Sequence, residues 1–297
     1  YGPGAKEKIT QAAKGKDVCI LNGDLDDSIL ASEELKWVHC CRAGVEKSTK
    51  PEVFERGIIL TSSSGRSAPA LAEHALMFML SLTYDLPMLT RAQKEHKWAV
   101  SREYSEKTGM YRKTVGVIGL GKTGSEVARL VKSFDMKVLA WDRRRKEAQN
   151  VDQVYGAENG DNLNELLAQC DYVVLSLELN DQTFHIIDAA QLAAMKKTAF
   201  LVNMGRGGLV NEPAMIEALK NGGIAGAGLD TFETEPLPSE SPLWNLPNVI
   251  ITPHITPQLP DKEERMLDYV YQNIKAYREN GTFVNRVTLR NMLTPQK

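Results

Sequence analysis

The sequence predicts an α/β protein built from two doubly wound parallel-sheet domains with a cleft between them. Two observations predict this class. Short apolar stretches rich in β-branched residues alternate with helical stretches, as they do where helices connect parallel strands. The 297 residues are too many for one small core and are enough for two domains of ordinary size. No Gly/Ser-rich linker or internal repeat interrupts the chain, so we expect structured connections between the domains.

The beginning of the chain predicts an α/β unit without a glycine motif of its own. Its strands are expected at residues 17–21, 37–41 and 58–61, and its helices at residues 6–14 and 27–32. Long helices follow at residues 70–84 and 88–98. The first of these is apolar around most of its circumference, as a buried helix is. We expect the domain border near Leu86.

The remaining chain predicts a longer series of alternating elements. Strands are expected at residues 115–118, 137–141, 172–175, 199–202, 226–230 and 249–252, and helices at 163–169, 189–195, 212–220 and 262–278. Asn211 is the expected N-cap of its helix, with a proline in the first turn. We therefore assign residues 1–85 and 276–297 to a first domain and residues 86–275 to a second.

The second domain is organised around a glycine turn after its first strand. Gly119, Gly121 and Gly124 have the spacing of a turn that binds a dinucleotide pyrophosphate. Such a turn needs a sharp bend, a bare backbone that phosphate can approach, and a helix packed closely on its strand. The helix start offers N–H groups and a positive dipole end to the phosphate, and we include Lys122 and Thr123 in the predicted contact. Taken alone, the pattern also fits a tight turn without a ligand.

Asp142 ends the next predicted strand, 18 positions after Gly124, where an acidic residue accepts hydrogen bonds from ribose hydroxyls. Strand, turn, helix, strand and acid together favour a bound dinucleotide. The carboxylate repels a 2′-phosphate and favours NAD, whereas Arg143 and the two arginines after it could bind that phosphate and favour NADP. We predict NAD, with NADP as the alternative.

Three polar residues follow predicted strands, at the sheet edge where parallel sheets bind ligands. Arg206 can bind a carboxylate through two hydrogen bonds, and His254 can exchange a proton near neutral pH. Glu235 can hold the tautomer of a neighbouring imidazole, although Glu233 is a near-equal rival by chemistry alone. A structural role is the alternative for each residue. We interpret the other histidines, His39, His74, His96 and His185, as packing or surface residues.

Charge and cysteine content exclude several classes of function. The formal net charge is −2 and the pI is about 6.3, so nothing in the composition favours nucleic acid or an acidic membrane surface. The longest apolar run, at residues 75–82, is too short to span a bilayer. The four cysteines form no CxxC pair, and we read Cys40 and Cys41 as buried residues in preference to a metal or redox pair. The sequence also has no secretory signal, so we expect a cytoplasmic protein. From the cysteine spacing we expect no metal site.

Four ordered motifs resemble the NAD-dependent D-isomer-specific 2-hydroxyacid dehydrogenases over nearly the whole chain. They lie at residues 119–124, 203–210, 228–236 and 248–254. The resemblance implies that Arg206 binds the substrate carboxylate, that Glu235 is the acid behind the histidine, and that His254 donates the proton. These enzymes interconvert a small 2-oxo acid and a D-2-hydroxy acid.

The resemblance implies further contacts and a domain plan. Asp230 is expected at the nicotinamide carboxamide, Met204 and His254 among the cofactor contacts, and the backbone N–H groups of Ala43 and Gly44 at the substrate carboxylate. The resemblance further implies that the first domain is a flavodoxin-like substrate domain and that the second is a Rossmann-like dinucleotide-binding domain. The resemblance also implies a homodimer formed through the second domain, with an arm at residues 92–108, and a family strand and helix before Tyr1.

Some positions depart from the family pattern and leave alternatives open. Glu178 stands near a position where the family often has a proline, and residues 255–258 replace the usual small residues after His254. Arg42, next to Ala43, suits a substrate with a distal acid or phosphate group, with a solvent-facing arginine as the alternative. An NAD-responsive binding protein, similar to the family's corepressors, is the alternative function. A different hydride donor such as formate is a third, which Glu235 disfavours.

Overall fold

The computed structural model describes residues 4–98, 104, 107–258 and 260–293, and the chain divides into two compact units. The first unit comprises Tyr1–Ser67, Glu178–Gln182 and Leu259–Lys297. The second comprises Ala68–Leu177 and Thr183–Gln258. Part of the expected arm at residues 92–108 lies outside the described residues.

The helices and strands are numbered in chain order. The α-helices are α1 (Ala5–Ala13), α2 (Asp27–Leu30), α3 (Pro51–Glu55), α4 (Ala68–Thr83), α5 (Leu86–Lys94), α6 (Lys122–Val131), α7 (Leu163–Leu167), α8 (Ala189–Ala194), α9 (Glu212–Lys220) and α10 (Lys262–Arg278). The strands are β1 (Val18–Leu21), β2 (Trp37–Cys40), β3 (Ile59–Ser62), β4 (Thr114–Ile118), β5 (Lys137–Trp141), β6 (Gln153–Tyr155), β7 (Tyr172–Leu175), β8 (Phe200–Asn203), β9 (Gly226–Leu229) and β10 (Val249–Ile251). Short 3₁₀ turns occur at Lys132–Phe134, Ala157–Asn159, Gly207–Leu209, Pro242–Asn245, Thr256–Gln258 and Leu289–Asn291.

The borders of the two units differ from the expected ones at residues 85 and 275. Helix α4 belongs to the second unit, because its Phe78 and Met79 are buried in that unit's core. All of α10 belongs to the first unit, where Asn273 accepts a hydrogen bond from the Val284 amide (2.8 Å). An all-round apolar helix such as α4 carries no sequence signal of which sheet it covers.

The first unit contains a parallel three-stranded sheet in the order β1-β2-β3. Its core includes Val38, Cys40, Val53 and Leu60. The chain after α10 returns to this sheet, where the Val287 amide donates to the Leu60 carbonyl (2.8 Å). Residues that follow α10 in the chain therefore pack beside β3 of the same unit.

A buried polar network crosses this sheet at His39. The His39 side chain is completely buried, with Nδ1 2.8 Å from the Thr61 hydroxyl and Nε2 3.0 Å from the Ser63 hydroxyl. The Trp37 indole N–H also donates to the Thr61 hydroxyl (2.9 Å). Burial lowers the pKa of His39 to about 4, so the ring is neutral in the folded protein at pH 7.

The second unit contains a parallel seven-stranded sheet in the order β10-β9-β8-β7-β4-β5-β6. Val115 and Val117 of β4 lie in the core that also contains residues of α4 and α6. Gly116 faces the opposite way, because a Cβ there would approach Leu166 and Cys170 at the end of α7. Helices thus cover both faces of this sheet, as a doubly wound fold requires.

Two elements were not predicted from the sequence. Strand β6 has three residues at the edge of the sheet, and α3 has five residues. Both are too short to show a periodic pattern. The other helices and strands expected from the sequence are present with ends within a few residues, which confirms the α/β class with parallel sheets.

We expect His39 to make folding stability depend on pH. The unfolded chain protonates this histidine below its ordinary pKa of 6.5, whereas the folded chain does so near pH 4. The contribution of His39 is therefore complete above pH 6.5 and is lost as the pH falls to 4, by about 3 kcal/mol in the free energy of unfolding. Urea titrations of the unaltered protein and of His39→Asn across this range measure it.

Carboxyl groups also titrate in this range, so the informative quantity is the difference in slope between the two proteins. His96→Asn is the matched control, because His96 is exposed and its backbone has a positive φ of 53° that asparagine tolerates. The control should keep the slope of the unaltered protein. Equal slopes for His39→Asn and the unaltered protein would contradict the prediction.

Candidate active site

The glycine turn lies where the strand order of the second unit reverses. Chain order runs outward from β4 through β5 to β6 and then returns to β7 on the other side of β4. Parallel α/β sheets bind ligands at such a point, beyond the carboxyl ends of the strands. Gly119 follows β4 with a φ of 101°, and a Cβ there would lie 2.8 Å from the Leu177 side chain after β7. Glycine is therefore required at Gly119 by backbone conformation and by crowding.

Gly124 and Gly121 differ in what surrounds them. A Cβ on Gly124 would lie 1.9 Å from the Gly119 carbonyl oxygen, so glycine there lets α6 pack against the turn. A Cβ on Gly121 would meet no protein atom within 4 Å. Gly121 is the N-cap of α6 and, as a glycine, provides no side chain to cap the helix. The protein's own packing leaves space at Gly121, and an approaching phosphate group fits that space and the helix start.

Asp142 follows β5 and is tied to the glycine turn. Its Oδ2 accepts from the Leu120 amide (3.1 Å), and its Oδ1 accepts from the amides of Arg144 and Arg145 (2.9 Å each). An ionised carboxylate has about four acceptor positions, so one is left for a ribose hydroxyl. The Arg144 and Arg145 side chains are exposed, and that of Arg143 is half-buried.

Arg206 lies in a tight turn after β8. A Cβ on Gly205 would contact the Leu209 side chain at 2.6 Å, and one on Gly207 would lie 1.8 Å from the backbone of Phe232. The turn that carries Arg206 therefore packs directly against the loop after β9. The half-buried Arg206 donates from Nη1 to the Gly205 carbonyl (2.8 Å), and its own carbonyl accepts from the Asn203 side chain (3.0 Å).

His254 and Glu235 form a hydrogen-bonded pair. Nδ1 of His254 lies 2.8 Å from Oε2 of Glu235, and Oε1 of Glu235 accepts from the Phe232 amide (3.0 Å). Both side chains are about one-third exposed, so the pair is accessible from solvent. Because its partner oxygen is a carboxylate, Nδ1 carries a proton, and Nε2 is the nitrogen left for chemistry.

Glu233, the rival of Glu235, belongs to a second pair. Its Oε1 lies 2.7 Å from Nε2 of His185 and accepts from the Glu212 amide (3.1 Å). Burial, with the Glu233 carboxylate as a smaller cause, raises the pKa of Glu212. The loop after β9 thus carries both glutamates, each paired with a histidine from elsewhere in the chain, and Glu235 is the acid on His254.

Asp230 is buried at the end of β9 and holds the loop after β10. Its Oδ1 accepts from the Thr252 hydroxyl (2.5 Å) and the Ile255 amide (3.2 Å), and its Oδ2 accepts from the Thr256 hydroxyl (2.7 Å). Both hydroxyls also contact His74 of α4, which the sequence did not single out. No sequence signal links His74 to this loop, since its partners are almost 180 residues away. Met204, another predicted cofactor contact, is buried in the core beside β8.

Four further residues singled out from the sequence lie in the first unit, whereas Lys122 and Thr123 begin α6 in the second. Ala43 ends a bend after β2 and Gly44 follows it, and Arg42 pairs with Asp24 at 3.2 Å on the exposed surface. Glu178 accepts from the Asn291 side chain (2.7 Å). Burial raises the pKa of the Cys40 thiol to about 11, so it is protonated at neutral pH.

The described residues contain no group of three or more potential metal-ligating side chains. Among these described residues, no helix is both long enough and apolar enough to cross a membrane.

The comparisons with known proteins agree with the fold. The model of the family "D-isomer specific 2-hydroxyacid dehydrogenase, NAD binding domain" matches residues 76–256. The chain is 34% identical over 281 residues to a glyoxylate reductase of Korarchaeum cryptofilum. The aligned region covers 93% of this chain and 84% of that protein. It is 34% identical over 290 residues to a D-3-phosphoglycerate dehydrogenase of Methanocaldococcus jannaschii, covering 97% of this chain and 54% of that longer protein.

A solved structure gives the same result. An NADPH-dependent glyoxylate/hydroxypyruvate reductase of Sinorhizobium meliloti, in complex with NADP and sulfate, is similar with a TM-score of 0.81 and 26% identity, over 94% of this chain and 87% of that one. The parallel sheets, the glycine turn and these similarities have one explanation. The chain belongs to the D-isomer-specific 2-hydroxyacid dehydrogenases, which act on CH–OH donors with NAD(P) as cofactor.

Proposed function

We propose that the protein reduces a small 2-oxo acid to the D-2-hydroxy acid with NADH, and catalyses the reverse reaction, in the cytoplasm. The observation that carries this proposal is the 2.8 Å pair of His254 and Glu235, in the unit that also contains the glycine turn. An imidazole held by a carboxylate is the group that general acid–base catalysis at a carbonyl oxygen needs.

His254 acts as the acid in the direction of reduction. Its Nδ1–H is held by Glu235, and Nε2–H gives its proton to the carbonyl oxygen of the substrate. Glu235 keeps the ring oriented, while the Phe232 amide fixes the carboxylate itself. In the reverse direction the neutral ring takes the proton from the hydroxyl group.

Arg206 binds the carboxylate of the substrate and stabilises negative charge on the reacting oxygen. Gly207, next to Arg206, packs directly on the backbone of the loop that carries Glu235, so the cation and the acid–base pair lie on adjoining loops. The resemblance to the family supports Ala43 and Gly44 of the first unit as substrate-binding residues. Relatives named glyoxylate reductase and D-3-phosphoglycerate dehydrogenase are each 34% identical to this chain, so the proposal is made for small 2-oxo acids as a class.

The residues that would hold the cofactor are those of the second unit. The glycine turn with Lys122 and Thr123 would bind the pyrophosphate, Asp142 the ribose, and Met204, Asp230 and His254 the nicotinamide side. The space at Gly121 supports this assignment. When bound, the reduced nicotinamide supplies the hydride for C2 of the substrate.

The family resemblance also supports a homodimer formed through the second unit. The fully exposed Trp98 after α5 agrees with a contact there. Light scattering of the purified protein reports the mass in solution, and a monomer would contradict the homodimer.

We expect His254→Asn to lower kcat by about 10²- to 10⁴-fold, the usual contribution of general acid–base catalysis. Asparagine tolerates the positive φ of 51° at this position, so the loop should keep its conformation. The loss of NADH absorbance with glyoxylate, hydroxypyruvate and oxaloacetate as substrates measures the rate. NADH affinity, measured by quenching of protein fluorescence, should fall far less than kcat, because the proposed pyrophosphate and ribose contacts are retained.

His185→Asn is the matched control, because His185 has a φ of 50° and a glutamate partner at 2.7 Å. It should retain kcat within about threefold, as expected for a residue outside the reaction. Equal losses of kcat in His254→Asn and His185→Asn would exclude His254 as the proposed acid. Near-normal turnover of His254→Asn would exclude it as well.

The two glycines of the turn should respond differently to alanine. Gly121→Ala should leave thermal stability unchanged, because its methyl group meets no protein atom, yet weaken NADH binding by about tenfold or more by occupying the phosphate space. Gly124→Ala should lower the free energy of unfolding by about 1–3 kcal/mol, because its methyl group overlaps the Gly119 carbonyl. Calorimetry measures both quantities, and unchanged NADH affinity in Gly121→Ala would contradict the cofactor assignment.

We attribute the proposed preference for NAD over NADP to the carboxylate of Asp142. We expect Asp142→Asn to raise the ratio of kcat/KM for NADPH to that for NADH by about tenfold, since it removes the charge that repels a 2′-phosphate. Steady-state kinetics with both cofactors measure the ratio. Asp135→Asn is the control, an exposed site paired with Arg112 whose positive φ suits asparagine. A preference of the unaltered protein for NADPH would overturn the assignment.

A further inference from the structure

His74 closes a ring of hydrogen bonds below the loop that carries His254. Nε2 of His74 lies 3.1 Å from the Thr252 hydroxyl, and Nδ1 lies 2.9 Å from the Thr256 hydroxyl. The same hydroxyls lie 2.5 and 2.7 Å from the two oxygens of Asp230. The imidazole, two hydroxyls and a carboxylate therefore form a closed ring of four hydrogen bonds within the second unit.

The ring needs one more proton than its groups hold in their ordinary states. Four hydrogen bonds require four hydrogens. A neutral imidazole supplies one, each threonine hydroxyl supplies one, and an ionised carboxylate supplies none. The fourth hydrogen must come either from a second proton on His74 or from a proton on Asp230. In both cases the ring has no net charge, which suits its burial.

The ring bears on His254 because it holds the loop on both sides of that residue. Thr252 and Thr256 are each two positions from His254, and the Ile255 amide donates to Asp230 (3.2 Å). His254 has a left-handed backbone with a φ of 51°, a conformation that surrounding contacts must maintain in a bulky residue. The ring provides such contacts from α4 and from the end of β9.

We propose that His74 is a positioning residue: it shares one proton with Asp230 through Thr252 and Thr256, and the closed ring fixes the loop that presents His254. This rests on the function proposed above, since the loop is the one that carries the proposed acid. Breaking the ring leaves a buried carboxylate with fewer donors and frees the loop on one side.

The groups around His74 act on its pKa in opposite directions, and burial is the larger influence. Burial lowers the pKa of His74, and the facing Asp230 raises it. On α4 itself the other ionisable residue is Glu73, an exposed neighbour, and between Thr252 and Thr256 it is His254. The ring edge of His74 also packs on Phe78, with centroids 4.8 Å apart, which limits its rotation.

Substitutions at Thr256 test the positioning role. Thr256→Val keeps the shape of the side chain and removes the hydroxyl, and we expect kcat for glyoxylate reduction to fall by about tenfold while KM for glyoxylate changes less than about threefold. Thr256→Ser retains the hydroxyl and should restore kcat. Thr83→Val is the control for loss of a buried hydroxyl on the same unit, since Thr83 bonds to the Tyr172 hydroxyl (2.7 Å). It should leave kcat unchanged.

Equal kcat values in Thr256→Val and Thr256→Ser would overturn the positioning role. A fall in Thr83→Val equal to that in Thr256→Val would do so too, because it would show a general loss of stability.

Nuclear magnetic resonance of the cofactor-free protein tests the proton count independently of turnover. Near pH 7, the ¹⁵N shifts of the His74 ring and the ¹³C shift of the Asp230 carboxyl should together report one proton beyond a neutral imidazole and an ionised carboxylate. Thr256→Val should release that proton. A neutral imidazole facing an ionised carboxylate would overturn the proposal. Failure of the unaltered protein to reduce any 2-oxo acid would instead contradict the proposed function, and the resonance data would still decide whether the ring exists as described.

Discussion

The contact between Gly124 and the Gly119 carbonyl is the constraint on which the second unit depends. It brings α6 so close to the turn after β4 that no side chain fits between them. The helix start is thereby fixed at the reversal of strand order, where its N–H groups and dipole face the space beside Gly121. Asp142 reinforces this arrangement from β5 by accepting the Leu120 amide. Helix packing and the proposed phosphate site are consequences of one close approach.

The loop after β9 shows how similar side chains acquire different surroundings. Glu233 and Glu235 are two residues apart, and each binds a histidine with a left-handed backbone. Only His254 lies in the loop that Asp230 holds through the threonine hydroxyls. The Arg206 turn packs against this same loop through Gly207. The proposed chemistry therefore depends on which loops meet at the end of β9, and the residue types alone do not determine it.

The sequence predicted most of the fold because local signals were strong. The bounds of α9 were predicted correctly: Asn211 caps the helix by accepting the Ala214 amide, and a proline occupies the first turn. The glycine turn was equally clear, since its spacing is local. The domain border was misplaced, because the packing of α4 depends on distant strands. His74 was missed for the same reason, and Glu235 could be preferred to Glu233 only by resemblance, since their partners come from other elements.

The return of the chain to β3 affects the order in which the two units can fold during synthesis. The sheet of the first unit begins with residues that leave the ribosome early, yet β3 obtains its last neighbours from Asn285 to Val287. The second unit is almost continuous in sequence and has all its strands by Ile251. During synthesis it can therefore acquire its complete core while the first unit still lacks an edge, the reverse of the usual N-to-C order of domain maturation.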